Sequence, residues 1–127
     1  MFNFRTSSLN EFRYNLPYNE MVGGGLAISR SHFLKVNGFS NQFYGWGGED
    51  DEFYQRLEDQ HLHPVRLPAH QARYVSLKHR KESTAIERAS HISEDPGGLA
   101  REGLTTLKYQ KKDITILPMC TIVRVDL

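Results

Sequence analysis

The pattern of apolar and polar positions divides the chain into short elements with strand and helix periods. The apolar run Met21–Ser29 carries three consecutive glycines and predicts a buried strand whose backbone another group can approach closely. A short helix should follow as far as Asn37, because Ser29 or Ser31 can cap it and Gly38 can take the left-handed conformation that ends it. These residues predict a strand followed by a helix.

A second helix is predicted from about Glu49 to Gln60, and four consecutive carboxylates open it. Its apolar stripe consists of residues at helical spacing, namely Phe53, Tyr54, Leu57 and His61. A helical wheel places Asp50 on the face of this stripe and Glu49 at its edge, so both should point inward. Asp51 and Glu52 should face water, with Glu52 paired to Arg56 four residues later.

The remainder of the chain alternates between strand-prone segments and turns. We expect strands at Pro64–Leu67, Ala72–Leu77, Leu104–Tyr109, Ile114–Leu117 and Thr121–Val125, a polar helix at Thr84–His91 and a turn at Ser93–Gly98. Residues 1–16 show no sustained period, and we expect them to lead in irregularly from a missing N-terminal half. Residues 17–127 should form one domain with a mixed sheet and short helices, which is an α/β class.

Composition and charge exclude several classes of protein. A chain of 127 residues with 39% hydrophobic and 24% charged residues fits one globular domain or a piece of a larger one. A net charge of +1, with basic and acidic residues interleaved, argues against a nucleic-acid partner. No apolar run approaches the roughly 20 residues of a membrane-spanning helix. The single Cys120 permits neither an internal disulfide nor a cysteine-rich zinc site.

The candidate chemistry lies in the stretch from Gly45 to Phe53, where a glycine-rich turn with Trp46 precedes the four carboxylates. Glycines allow close approach to a ligand, and the indole offers a flat apolar surface for a sugar. A carboxylate on an apolar face has a raised pKa, which suits a general base near neutral pH, so Asp50 is the candidate. The alternative is that the carboxylates only offset the dipole of the helix.

Six histidines are present, and none belongs to a dense metal-binding motif. His79 differs from the others because it directly follows the predicted strand Arg73–Lys78, and the ends of strands commonly carry ligands. His79 is therefore the candidate metal ligand, with a surface or packing role as the alternative.

The segment GGGLAISRSHFLKVNGFSNQFYGWGGEDDEFYQRL, residues 23–57, resembles the C-terminal half of the beta-1,4-galactosyltransferase family. In that family a Gly-Gly strand, a short helix ending in an Asn-Gly-Phe turn and a Trp-Gly-Trp-Gly-Gly-Glu-Asp-Asp block follow one another. The likeness continues through Arg73–Lys81, Arg101–Tyr109 and Pro118–Asp126. The last two segments are most similar to the branch that galactosylates xylose in the proteoglycan linker.

The resemblance implies a GT-A type fold and an inverting transfer of galactose from UDP-galactose to a glycan or glycoside acceptor, assisted by Mn2+. A typical animal member of the family resides in the Golgi lumen. Position by position, Asp50 would be the general base and His79 a metal ligand. The resemblance assigns acceptor contacts to Glu49, Asp50 and Trp46, and donor contacts to Met21, Gly24, Trp46, Gly47 and Gly48.

Several residues depart from the family pattern, and they limit the metal binding, activity and sugar specificity that we expect of this chain in isolation. The Asp-x-Asp segment that holds metal and nucleotide belongs to the N-terminal half of the family, so we expect this chain in isolation to lack the metal ligands needed besides His79 and to be inactive. Met21 replaces a tyrosine that favours galactose as donor, and Ala85, Ile86 and Ala89 replace residues of an N-acetylglucosamine pocket. A non-catalytic carbohydrate-binding or degenerate transferase module, and a purely structural α/β domain, therefore stay open as alternatives.

Overall fold

The computed structural model describes residues 5–6, 8–68, 70–78 and 102–127. Its elements are β1 (Arg5–Thr6), β2 (Ser8–Leu9), a single 3-10 turn (Asn10–Phe12), β3 (Leu26–Ala27), α1 (Arg30–Lys35), α2 (Glu49–Asp59), β4 (Arg73–Tyr74), β5 (Gln110–Ile116) and β6 (Thr121–Asp126). Within these ranges, no helix is long and apolar enough to cross a bilayer. The predicted helix Thr84–His91 and the turn Ser93–Gly98 lie outside the described residues.

Three strand pairs give the described part of the chain a mixed parallel and antiparallel character. β1 pairs antiparallel with β3, β2 pairs parallel with β4, and β5 pairs antiparallel with β6. The strand predicted across Met21–Ser29 is much shorter, because Gly24 has a positive φ of 86° and interrupts the extended backbone. Likewise Ala72–Leu77 contributes only β4, and the strand predicted at Pro64–Leu67 does not form.

Helix α1 (Arg30–Lys35) begins where the sequence predicts and ends two residues before the predicted Asn37. The Ser29 hydroxyl accepts a hydrogen bond from the backbone N–H of His32 at 3.2 Å, which satisfies one free donor of the first turn. After the helix, Asn37 and Gly38 both have positive φ values, 60° and 69°. The expected serine cap and glycine stop are confirmed.

The core lies between the two helices and the segment before β3. Its buried members are Val22, Val36, Phe53 and Leu57. Phe53 also stacks on Phe39 with ring centroids 4.1 Å apart. The apolar stripe of α2 is confirmed at Phe53 and Leu57, each 0% exposed, but His61 does not belong to it. His61 lies beyond the end of the helix, has a φ of 55° and is exposed.

The face of α2 that the sequence predicts to be exposed instead carries a buried cluster of ion pairs. Arg56, only 2% exposed, donates to Glu52 Oε1 at 2.6 Å and to Glu102 Oε1 at 2.8 Å. The other guanidinium nitrogen, Nη1, donates to the backbone carbonyls of Glu102 at 3.0 Å and Gly38 at 3.3 Å. The pairing of Glu52 with Arg56 is confirmed, whereas the prediction that Glu52 faces water is wrong because residues 102–103 cover this side of the helix.

The segment after Glu102 is a turn and not the strand predicted over Leu104–Tyr109. Its N–H groups are turned toward Asn37: the Leu104 N–H donates to the Asn37 carbonyl at 2.8 Å, and the Thr105 N–H donates to Asn37 Oδ1 at 2.9 Å. The Asn41 N–H donates to Glu102 Oε2 at 2.7 Å. Because these donors are already satisfied, they cannot take part in a strand ladder.

The two C-terminal strands form where the sequence predicts strands, and they pair as an antiparallel hairpin. β5 begins four residues before the predicted Ile114 and ends at Ile116, and β6 runs one residue beyond the predicted Val125. Ile114 lies opposite Val123, and a bulge interrupts the register between Lys111 and Asp113. Exposed ion pairs join the strands, including Lys112 with Asp126 at 2.7 Å.

We expect Gly38→Ala to destabilise the fold by about 1–2 kcal/mol, since an alanine at φ 69° is strained. Its Cβ would also lie 2.7 Å from Leu104 Cγ in the turn that covers the helix. Urea unfolding measures the loss. The control is Gly45→Ala, because Gly45 shares the positive φ (81°) and is exposed. A smaller loss for Gly38→Ala than for Gly45→Ala would contradict the contact with Leu104.

Candidate functional site

A cleft of about 1020 Å3 lies between the segment before β3, the start of α2 and the residues around β4. Seven of the residues predicted for the site line this cleft, namely Met21, Gly24, Trp46, Gly47, Gly48, Glu49 and Asp50. The predicted metal ligand His79 lies outside the described residues. The structure thus brings together residues that are up to 29 positions apart in sequence, from Met21 to Asp50.

The glycine-rich turn sets where α2 begins. Gly47 and Gly48 have φ values of 104° and 96°, which only glycine adopts without strain. Gly48 is the N-cap residue, and its carbonyl accepts the first helical hydrogen bond from the N–H of Glu52 at 3.0 Å. The turn therefore places the first residues of α2 at the cleft, beside the Trp46 side chain, which is 55% exposed.

Asp50 is the half-buried carboxylate of the cleft. Burial raises the pKa of Asp50, and the negative charges of Asp51 and Glu49 raise it further, while nearby backbone hydrogen bonds oppose the shift. The prediction that Asp50 points inward is confirmed by its burial and its position in the cleft wall. A carboxylate with a raised pKa at a cleft can accept a proton from a bound hydroxyl.

Asp51 also lines the cleft, which corrects the expectation that it faces water. The Tyr18 hydroxyl donates a hydrogen bond to Asp51 Oδ1 at 2.8 Å. Burial, and secondarily this hydrogen bond, raises the pKa of Tyr18. The prediction for Asp51 is wrong because the segment around Tyr18 covers a side of α2 that a helical wheel treats as open. Sequence reasoning missed Tyr18, since no local pattern links residues 33 positions apart.

An apolar wall faces the acidic residues, and no pattern in the sequence predicts it. Its members come from the N-terminal segment and from β4 with the residues after it, namely Leu9, Phe12, Pro17, Tyr74, Val75 and Leu77. The parallel pairing of Leu9 with Tyr74 joins the two segments. The N–H of Ser76 also donates to Asn10 Oδ1 at 2.6 Å. A contact between segments so distant in sequence cannot be found from local periodicity.

The negative charges of the cleft favour a neutral sugar over a free diphosphate as its ligand. Four carboxylates line it, Glu11, Glu49, Asp50 and Asp51, and none of the described residues that line it is Lys, Arg or His. An unaccompanied diphosphate would be repelled by this surface, whereas the hydroxyl groups of a neutral sugar can donate hydrogen bonds to it. In the described part of the chain no three His, Cys, Asp or Glu side chains are grouped so that they could hold a metal ion.

The fold is that of GT-A galactosyltransferase catalytic domains. The catalytic domain of Drosophila beta-1,4-galactosyltransferase 7, solved in complex with xylobiose, matches with a TM-score of 0.64 and 24% identity over 85% of this chain and 50% of that chain. A mutant of the same enzyme, solved with manganese, UDP-Gal and xylobiose, matches with a TM-score of 0.68 and 25% identity over the same shares. The expected fold class is confirmed.

The family is shown by the sequence comparisons. A family profile described as the N-terminal domain of galactosyltransferase matches residues 5–80. Human beta-1,4-galactosyltransferase 1 is 32% identical over 123 residues, and bovine beta-1,4-galactosyltransferase 3 is 31% identical over the same length. The chain belongs to the beta-1,4-galactosyltransferase family, as the resemblance predicts.

The chain spans about a third of the length of these relatives. The aligned region covers 94% of this chain and 31% of each of the two. The profile's description names an N-terminal domain, whereas the motifs predict the C-terminal half of a family member, and that placement stays a prediction.

Proposed function

We propose that this chain supplies the acceptor site and the catalytic base of an inverting galactosyltransferase, which transfers galactose from UDP-galactose to a sugar hydroxyl. The observation that carries the proposal is the half-buried Asp50, with its raised pKa, in the wall of an acidic cleft that contains no cationic side chain among its described residues. Membership of the galactosyltransferase family supports the reaction class.

Asp50 would act as the general base. As the acceptor hydroxyl oxygen attacks the anomeric carbon of galactose, its proton passes to the Asp50 carboxylate, and the bond from the anomeric carbon to the phosphate oxygen of UDP breaks. Attack from the face opposite the leaving group inverts the anomeric centre. The raised pKa of Asp50 makes it a better proton acceptor than an exposed aspartate.

The neighbouring residues would position the two sugars. On the acceptor side, Glu49 would accept hydrogen bonds from sugar hydroxyls and the exposed Trp46 ring would pack on the sugar face. On the donor side, Gly47 and Gly48 would allow the loop to close on the galactosyl group, with Met21 and Gly24 beside it. The Drosophila enzyme binds xylobiose, so a xyloside is the first acceptor to test.

Manganese and the diphosphate would need groups outside this cleft. The described residues provide no three-ligand group, and His79 is the one ligand that the family resemblance assigns to this chain. When bound, manganese would neutralise the charge that develops on the departing diphosphate. We therefore propose that the chain in isolation binds acceptor without transferring galactose. A carbohydrate-binding module without activity is the second candidate, and the lack of cations among the described lining residues favours it equally.

Calorimetry on the isolated chain tests the acceptor site. We expect xylobiose to bind in the millimolar range, and UDP-galactose with manganese to show no measurable binding. Trp46→Ala should weaken xylobiose binding about fivefold to tenfold, because the exposed indole is a large apolar surface in the cleft.

The matched control is Tyr109→Ala, since Tyr109 is 57% exposed and lies outside the cleft. Binding of UDP-galactose in preference to xylobiose would refute an acceptor site. Turnover of UDP-galactose by a full-length form, in which this chain is joined to a metal- and nucleotide-binding half, separates the transferase from the binding module.

A further inference from the structure

Gly23 lies against the carboxylate of Asp50. A Cβ built on Gly23 meets Asp50 first: the three nearest atoms are its Oδ2, in severe overlap, its Cγ at 3.3 Å and its Cβ at 3.7 Å. No other residue supplies one of these three contacts. The space that a side chain at position 23 would fill is therefore the space that the Asp50 carboxylate occupies.

The requirement for glycine at position 23 is steric and not conformational. The φ of Gly23 lies outside the left-handed region, unlike that of the adjacent Gly24 at 86°. An alanine at position 23 would not need a left-handed φ, so the obstacle that the structure shows is the space its methyl group would take. Gly23 and Asp50 both line the cleft, and the contact between them belongs to its wall.

We propose that Gly23 is a positioning residue that sets the location of the Asp50 carboxylate. Any side chain at position 23 pushes the carboxylate out of the half-buried wall toward the open cleft. The carboxylate would then lose part of the burial that distinguishes it from an exposed aspartate, and its oxygens would no longer point where the acceptor hydroxyl is held. That Gly23 leaves room for the Asp50 carboxylate does not depend on the function of the protein. The effect of Gly23 on catalysis rests on the proposed function.

A double-mutant cycle tests the steric claim through thermal unfolding. Because the end of the Asp50 side chain can move into the open cleft, we expect a modest loss: Gly23→Ala should lower Tm by about 2 °C when Asp50 is present, and by less than about 1 °C in an Asp50→Ala background, where the methyl group has room. Equal losses in both backgrounds would overturn the proposal. If Gly23→Ala alone does not fold, recovery of folding in Gly23→Ala/Asp50→Ala supports it, and failure of both variants refutes it.

The pKa of the Asp50 carboxyl, measured by NMR, tests whether a side chain at position 23 moves the carboxylate out of the half-buried wall. Asp51 and Glu49 are the charged groups that raise this pKa, and neither is changed by the substitution. Gly23→Ala should lower the pKa of Asp50 toward that of an exposed aspartate, because the carboxylate becomes more exposed. Gly25→Ala is the control, since Gly25 has no left-handed φ and does not line the cleft.

An unchanged pKa of Asp50 in Gly23→Ala would overturn the positioning role and leave the proposed function intact. A lowered pKa together with absent transfer activity in the full-length protein would support positioning and refute the transferase. In an active enzyme, the positioning role predicts that Gly23→Ala lowers kcat more than tenfold and moves the acidic limb of the pH profile downward.

Discussion

Asp50→Asn in the full-length protein should lower kcat for galactosyl transfer about 10^2-fold to 10^4-fold, because asparagine has nearly the same size and cannot accept the proton of the acceptor hydroxyl. The KM for the acceptor should change much less than kcat, since the amide can still form hydrogen bonds to the sugar. Initial-rate kinetics with a xyloside acceptor and UDP-galactose measures both parameters.

The matched control is Asp59→Asn. Asp59 lies at the far end of the same helix, where its Oδ1 accepts a hydrogen bond from Gln55 at 3.1 Å, and it does not line the cleft. Its substitution should leave kcat unchanged. Normal turnover of Asp50→Asn would exclude Asp50 as the base. It would favour the alternative that the four carboxylates at the start of α2 only offset the helix dipole.

The pH profile of the wild-type enzyme is a second test of Asp50 as the general base. A base acts in its ionised form, so kcat/KM should fall as the pH falls through the pKa of Asp50. Burial raises that pKa above the ordinary value of 3.8, and the acidic limb should therefore lie at higher pH than for an exposed aspartate. Loss of this limb in the residual activity of Asp50→Asn would agree with the assignment, and its persistence would contradict it.

Features encoded in one contiguous stretch were predictable from the sequence. The serine cap and glycine stop of α1, the bounds of α2 and the presence of two C-terminal strands each depend on neighbouring residues, and each is confirmed. Most residues proposed for the site also lie in one stretch at the start of α2, so a local motif was enough to bring them together. Met21 and Gly24 joined them only through the family resemblance.

Contacts between distant segments were not predictable. The helical wheel assumes that α2 has one buried face, whereas three segments cover it: the core beside Phe53, the Tyr18 segment beside Asp51, and residues 102–103 beside Glu52. Of the two carboxylates that should face water, Glu52 is therefore buried and Asp51 is partly covered. The same long-range packing explains why Leu104–Tyr109 does not form the predicted strand: residues 104–106 form a turn, since the N–H groups of Leu104 and Thr105 bond to Asn37.

The contact between residues 102–103 and α2 predicts a large loss of stability for Arg56→Ala. Arg56 is almost fully buried and bonds to Glu52, to Glu102 and to the Gly38 carbonyl. Its removal should leave two carboxylates uncompensated and cost about 3–5 kcal/mol in the free energy of unfolding. Urea unfolding measures this cost. Arg124→Ala is the control, because its pairing with Asp113 at 3.4 Å is exposed and contributes less than about 1 kcal/mol.

The pH dependence of this loss identifies its cause. Burial already raises the pKa of Glu52 above 4.5, and the hydrogen bond and charge of Arg56 partly oppose the shift. Without Arg56 the folded pKa should rise further above the unfolded value. A carboxyl with a raised folded pKa costs no stability at pH values below its unfolded pKa, and the cost develops as the pH rises through the folded value. The difference between Arg56→Ala and wild type should therefore be larger at about pH 7 than at about pH 4. A loss that does not change with pH would assign the effect of Arg56 to packing and not to the charge of Glu52.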